Sequence, residues 1–136
     1  MQFTISGVLP YLYQCHCSLC RRQTGAASNA ATIVPTEHFA WLAGLQLVKK
    51  WQQPEGMSSH FCSECGSPVP NPLSADHALM WIPAGLLASA QTRVVAHLCC
   101  DSKAEWDNSI LAGTRVFDGL PQDLRAFVDS LQNTTH

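Results

Sequence analysis

The 136-residue sequence has little charge and no basic run. Charged residues make up 13% of it, and its net charge is −2 at an isoelectric point near 6.3. Because no strong positive field is available to collect phosphate groups, general nucleic-acid binding is not expected. The apolar runs stop far short of the roughly 20 residues that a membrane helix needs, so a spanning protein is excluded. The N-terminus lacks a basic start followed by an apolar run, and we expect no signal peptide.

Apolar residues and cysteines are what the chain does have. Hydrophobic residues make up 46% of the sequence, which excludes a disordered chain and predicts one domain over residues 1–136. The odd number of cysteines, without an export signal, favours metal ligation over a disulfide framework and indicates a cytoplasmic location. The seven cysteines are Cys15, Cys17, Cys20, Cys62, Cys65, Cys99 and Cys100.

The pattern predicts a mainly β fold, mostly antiparallel, with one C-terminal amphipathic helix. Apolar residues at helical spacing predict a helix over 120–132, with Pro121 in its first position and Asp123 in its first turn. Short runs between glycines and prolines predict the strands. These strands are Phe3–Ile5, Tyr11–Gln14, Ala30–Val34, Leu45–Trp51, Ser59–Phe61, Leu79–Ile82 and Val94–Cys99.

The first cysteine cluster has the spacing C-x-C-x-x-C and comprises Cys15, Cys17 and Cys20. Three thiolates within six residues form a compact tripod for a tetrahedral zinc ion and leave one corner vacant. Structural zinc normally has four protein ligands, whereas a reactive zinc has three, so the ligand count indicates chemistry. Three thiolates give the site a local charge of −1, which suits the binding of an incoming thiol and the lowering of its pKa.

Two arginines, Arg21 and Arg22, directly follow this cluster. They are candidates to offset the negative site and to hold a carboxylate of an anionic substrate. The alternative is that both simply face solvent.

A second cluster, Cys62 and Cys65 followed by Gly66, has the pattern C-x-x-C-G of a zinc knuckle. Alone it is also compatible with a redox pair, but no βαβ pattern surrounds it. For Cys99 and Cys100 we favour a packing role, since neighbours on a strand point to opposite faces and at most one joins any site. No histidine has the spacing of a ligand pair; His16, between two ligands, is expected to face away from the ion.

Four segments together resemble the glutathione-dependent formaldehyde-activating enzyme family, which also includes centromere protein V. The resemblance runs over about Phe3 to Leu120, and the joint occurrence of C-x-C-x-x-C with FCxxCGS is its most specific part. The segments are CHCSLCRRQTGA (Cys15–Ala26), FAWLAG (Phe39–Gly44), FCSECGS (Phe61–Ser67) and HLCCDSKAEW (His97–Trp106).

The resemblance implies a zinc-containing β-tent fold with two zinc sites. The reactive zinc maps onto Cys15, Cys17 and Cys20, and half of a structural zinc maps onto Cys62 and Cys65. In the family the other half normally comes from a Cys-x-Cys-Gly in the first strand, which this sequence lacks. We expect either a truncated chain or a lost structural zinc. Cys62 and Cys65 are then empty, disulfide-bonded, joined by Cys99 or Cys100, or sharing zinc across a homodimer.

The resemblance also implies an activity: joining glutathione, or another small thiol, to formaldehyde or a similar small carbonyl, as a carbon–sulfur lyase does. The glutathione thiol would take the vacant corner of the zinc, lose its proton and attack the carbonyl. The alternative is a non-catalytic, zinc-stabilised binding module. A response of the metal site to glutathione distinguishes the two.

Overall fold

The computed structural model describes residues 1–54, 58–73, 76, 78–89 and 91–133. The chain forms two compact units, Met1–Val8 with Ile33–Pro83, and Leu9–Thr32 with Ala84–His136. The elements in chain order are β1 (Gln2–Ile5), β2 (Leu12–Cys15), α1 (Ser18–Thr24), β3 (Asn29–Pro35), β4 (Phe39–Ala43), β5 (Val48–Gln52), β6 (Ser58–Cys62), β7 (Asn71–Pro72), β8 (Leu79–Pro83), β9 (Val94–Leu98), β10 (Arg115–Val116) and α2 (Leu124–Ser130).

The second unit, which contains both helices, is built on strands in the order β10-β9-β2-β3. β2 pairs antiparallel with β3 and parallel with β9, so that Cys15 lies opposite Asn29 on one side and Leu98 on the other. β9 also pairs parallel with β10. The end of β2 is therefore held between two neighbouring strands, and this fixes where the first cysteine cluster begins. Its buried apolar residues include Tyr13, Ala31, Ala96, Leu98, Phe127, Val128 and Leu131.

The first unit consists of short antiparallel pairs. β1 pairs with β4, β5 with β6, and β7 with β8. The aromatic rings of Phe3, Phe39 and Trp41 pack across the β1–β4 pair, with the Phe3 and Phe39 centroids 5.5 Å apart. β6 ends at Cys62, so the second cysteine cluster follows this hairpin directly.

The mainly β class is confirmed, and most strand pairs are antiparallel as expected, but the expectation of a single helix needs correction. The structure adds α1, and the β2–β9 and β9–β10 pairs are parallel. It also adds β4, β7 and β10, which have few residues or an aromatic pattern that we did not assign. In the predicted strand Leu45–Trp51, residues Leu45–Leu47 form a 3₁₀ turn, and the strand begins only at Val48.

The C-terminal helix is shorter than the predicted 120–132. It spans Leu124–Ser130, and the side chain of Asp123 caps it by accepting a hydrogen bond from the backbone N–H of Ala126 at 3.1 Å. A carboxylate that satisfies an N–H of the first turn stabilises a helix start at that position. Asp123 is therefore the cap and not a first-turn residue, and Pro121 precedes the helix. Phe127 and Val128 are the buried side of α2, as the helical spacing predicts.

Candidate metal centre

The first cysteine cluster lies where β2 ends and α1 begins. Cys15 is the last residue of β2, and Cys17 is the N-cap of α1 with extended backbone (φ −66°, ψ 157°). The Cys17 sulfur accepts a hydrogen bond from the backbone N–H of Cys20 at 3.3 Å, in the position that a serine or aspartate oxygen usually takes. The C-x-x-C spacing thus folds as the first turn of a helix, and the helix places Cys20 beside Cys17.

The sulfur atoms of Cys15, Cys17 and Cys20 all lie within 4.8 Å of one another. Sulfurs about 2.3 Å from a tetrahedral metal ion are separated by roughly 3.8 Å, so a small contraction fits this group to a divalent ion. Within the described ranges, no other group of three or more cysteine, histidine, aspartate or glutamate side chains is arranged this way. Cys15 is buried, and Cys17 and Cys20 are half-buried, so two of the three residues are partly exposed to solvent.

The thiols in and beside the cluster differ in pKa. A hydrogen bond from the Cys20 side chain lowers the pKa of Cys15 to about 5, against the opposing effect of burial. The same interaction with Cys15, together with burial, raises the pKa of Cys20 far above its usual range. Burial and the neighbouring Cys15 raise the pKa of Cys99 to about 12. The donor set therefore fits a soft divalent cation. One thiolate is already present, and the charge of a bound cation would stabilise the thiolates that form when the other thiols lose their protons.

His16 points away from this cluster, as expected. It is completely buried; its Nδ1 donates to Asp107 Oδ2 at 2.8 Å, and its Nε2 lies 2.8 Å from His97 Nδ1. Asp107 and His97 are also buried, and they come from a loop and from β9. Burial alone would raise the pKa of Asp107, but hydrogen bonds from Ser109 and His16 outweigh it and lower that pKa. The side chain of His16 thereby fixes the backbone between Cys15 and Cys17.

The two arginines differ in their surroundings. The Arg21 guanidinium donates from Nη2 to the carbonyl oxygen of Ser102 at 3.1 Å, while its Nε is shielded from solvent and makes no hydrogen bond. Arg22 is exposed. Arg21 is therefore tied to the 3₁₀ turn Cys100–Ser102, which directly follows Cys99.

The second cluster has the local geometry of a knuckle but a small donor set. Gly66 has left-handed backbone (φ 77°) and donates its N–H to the carbonyl oxygen of Cys62 at 2.8 Å. Hydrogen bonds from the backbone N–H groups of Glu64 and Cys65 lower the pKa of Cys62. Cys62 is buried and Cys65 exposed, and both are free thiols. No third metal-binding side chain joins them in the part of the chain that the structure describes. Their ligation of a second zinc stays a prediction.

Comparison with known proteins decides the family. The sequence model of the glutathione-dependent formaldehyde-activating enzyme matches residues 1–102 of the 136. The chain belongs to this family. Among solved structures, a Rhodobacter sphaeroides protein is similar in fold, with a TM-score of 0.52 and 14% identity over 68% of this chain and 90% of that one. No curated protein matches the sequence.

Three side chains beside the centre of this family member were not singled out from the sequence. Cys99 was interpreted as a packing residue, yet its thiol interacts with that of Cys15. Asp107 was given no role, and His97 was expected to be a satisfied core or surface residue; the structure shows both hydrogen-bonded to His16. The parallel β2–β9 pairing brings His97 and Cys99 to the cluster, and the loop after β9 brings Asp107; no short motif encodes either. Within the described residues, no helix is long and apolar enough to cross a membrane.

Proposed function

We propose that this chain is a zinc-dependent, carbon–sulfur lyase-like enzyme. It joins glutathione, or another small thiol, to formaldehyde or a similar small carbonyl, and it splits the same adduct in reverse. One observation carries the proposal: in a member of the formaldehyde-activating family, three thiols converge within 4.8 Å, and two of their residues are partly exposed.

Zinc is the ion that this donor set favours. Thiolate sulfurs select zinc over magnesium or calcium, which prefer oxygen. Bound by Cys15, Cys17 and Cys20, zinc would lower the pKa of an incoming thiol while leaving its sulfur nucleophilic.

The chain's own residues position the reactants. α1 holds Cys17 and Cys20 on one turn, and the buried His16 keeps the peptide between Cys15 and Cys17 fixed. The guanidinium groups of Arg21 and Arg22 are proposed to hold a carboxylate of glutathione, which carries two. The substrate sulfur then forms a bond to the carbonyl carbon. The C=O electron pair moves to oxygen, and the oxygen takes up the proton that the thiol released.

This assignment extends to the rest of the chain. Residues 1–136 act as one family-type domain, and Cys62 and Cys65 are half of a structural zinc site. Seven free thiols suit the reducing cytoplasm, where we place the protein.

The test combines activity with a spectroscopic signal. The wild-type protein should accelerate adduct formation from glutathione and ¹³C-formaldehyde, followed by NMR, and Cys17→Ser should abolish the acceleration. Cys100→Ser, whose thiol lies outside the cluster, is the control. Glutathione should also change the visible spectrum of the cobalt-substituted protein. Zinc binding without either response would support the non-catalytic binding module instead.

A further inference from the structure

Cys99, at the end of β9, has a backbone conformation that cysteine rarely adopts. Its φ is 56° and its ψ 41°, and no other non-glycine residue in the described ranges has a positive φ. Two hydrogen bonds hold it there: its N–H donates to Gly119 O at 3.0 Å, and its carbonyl oxygen accepts from the N–H of Ser102 at 3.0 Å. Left-handed non-glycine residues persist only where the surroundings enforce them, and they concentrate at functional sites.

This conformation changes where the thiol points. Along a regular strand, Cys99 would share a face with His97, two residues before it, whose imidazole contacts His16. The left-handed residue ends that alternation. The parallel register sets Leu98 opposite Cys15, so Cys99, a residue only 9% exposed, follows directly beside the first cysteine cluster. There burial and the neighbouring Cys15 raise the pKa of Cys99.

The adjacent Cys100 has different neighbours. Its thiol interacts with the backbone N–H of Phe117 and with the carboxylates of Asp118 and Asp101. Of these two consecutive cysteines, Cys99 has Cys15 as a neighbour and Cys100 does not. Cys100 therefore serves as the matched control for Cys99.

We propose that Cys99 is a fourth thiol ligand of the ion held by Cys15, Cys17 and Cys20, and that it occupies the position which the substrate thiol takes. The proposal rests on the proposed function, because it requires that metal centre. Cys99 follows the residue that pairs with Cys15 but is not among the three sulfurs that converge within 4.8 Å, so ligation needs its side chain to turn toward their common centre. It is the fourth sulfur that a tetrahedral site requires.

The same assignment gives Cys99 a role in thiol exchange. With zinc bound, the sulfur of an incoming thiol would replace that of Cys99. One metal–sulfur bond would form as one breaks, the thiol proton would be released to the carbonyl oxygen as in the proposed function, and no electron would be gained or lost. The site would thus stay closed without substrate.

Cobalt substitution counts the sulfur ligands. Wild type, Cys99→Ser and Cys100→Ser are loaded with Co²⁺ without added thiol, and sulfur-to-cobalt charge-transfer absorbance is compared. If Cys99 is one of four thiolates on the ion, Cys99→Ser should lose about one quarter of the charge-transfer absorbance of this centre. Cys100→Ser should match the wild type. Any cobalt at Cys62 and Cys65 contributes equally to all three proteins. Cys99→Gly, which suits a positive φ, is the second variant in case the serine variant does not fold.

Glutathione then tests the exchange. It should leave the wild-type intensity nearly unchanged, restore the missing quarter in the Cys99 variants, and expose Cys99 of the wild type to iodoacetamide, as read by peptide mass spectrometry. Equal intensity in Cys99→Gly and wild type before glutathione would overturn the proposal and leave the three-cysteine centre intact. Loss of the quarter with no glutathione response in any protein would support the ligand assignment and overturn both the exchange and the proposed function.

Discussion

The imidazole of His16 and the carboxylate of Asp107 are joined by a 2.8 Å hydrogen bond, although the residues are 91 positions apart in the sequence. This bond is the last of three hydrogen bonds that run from Leu111 through His97 and His16 to Asp107. The N–H of Leu111 donates to His97 Nε2 at 3.4 Å, so the single proton of a neutral His97 lies on Nδ1 and is donated to His16 Nε2. The remaining proton of His16 is then on Nδ1 and is donated to Asp107.

Asp107→Asn should loosen the metal centre without removing a ligand. The amide keeps the volume but loses the charge-assisted acceptor for the buried His16, which costs about 1–3 kcal/mol of folding stability. Because His16 lies between Cys15 and Cys17, zinc affinity should fall about tenfold. This is the smaller end of the loss that is usual when a residue supporting a metal ligand is replaced. Chelator competition and urea unfolding measure the two effects. Asp129→Asn, at an exposed position of α2, should change neither.

The stability of the protein should depend on pH through His97. Burial, and then the neighbouring His16, lower the pKa of His97 in the folded protein. Below the ordinary value near 6.5 the unfolded chain therefore binds a proton that the folded chain resists, and stability falls as pH falls from 7 to 5. A second proton on His97 would also oppose the N–H of Leu111.

The comparison variant for this pH dependence is His97→Asn, whose amide reproduces the Nδ1 hydrogen bond without titrating. Urea unfolding at several pH values should give a shallower decline for this variant than for the wild type. Identical slopes for the two proteins would contradict the assignment.

Much of the centre, and less of its surroundings, was predictable from sequence. The spacing of Cys15, Cys17 and Cys20 is local, and so is the turn that joins them. α1 was missed because its seven residues have no apolar period, and its N-cap is a cysteine rather than a serine or aspartate. Asp107 and Cys99 were missed for another reason. Cys99 reaches the cluster through the parallel β2–β9 pair and its own left-handed conformation, and Asp107 reaches it through a loop contact with His16; all of these depend on distant parts of the chain.

Zinc loading should release protons. Cys15, with a pKa of about 5, is ionised at pH 7, whereas the raised pKa of Cys20 keeps its thiol protonated. Metal binding must displace that proton, so zinc affinity should rise with pH near neutrality. A pH indicator in weak buffer should register at least one proton per zinc bound at this site. Release from Cys20→Ser should be smaller, and equal release from both proteins would contradict the assignment.

The start of α2 is also testable. Because Asp123 caps the helix, Asp123→Ala should cost about 1 kcal/mol of folding stability. Pro121→Ala lies outside the helix and should stay within about 0.5 kcal/mol of the wild type. Thermal or urea unfolding measures both, and the reverse order would favour a helix that begins near Leu120.

The most direct test of the account is the zinc content of purified protein, measured by mass spectrometry of the metal. Replacing any one of Cys15, Cys17 and Cys20 by serine should remove one zinc per chain, while Cys100→Ser retains the wild-type content. A zinc content that is unchanged by all three substitutions, or a wild-type protein that takes up no zinc when its thiols are reduced, would contradict the account.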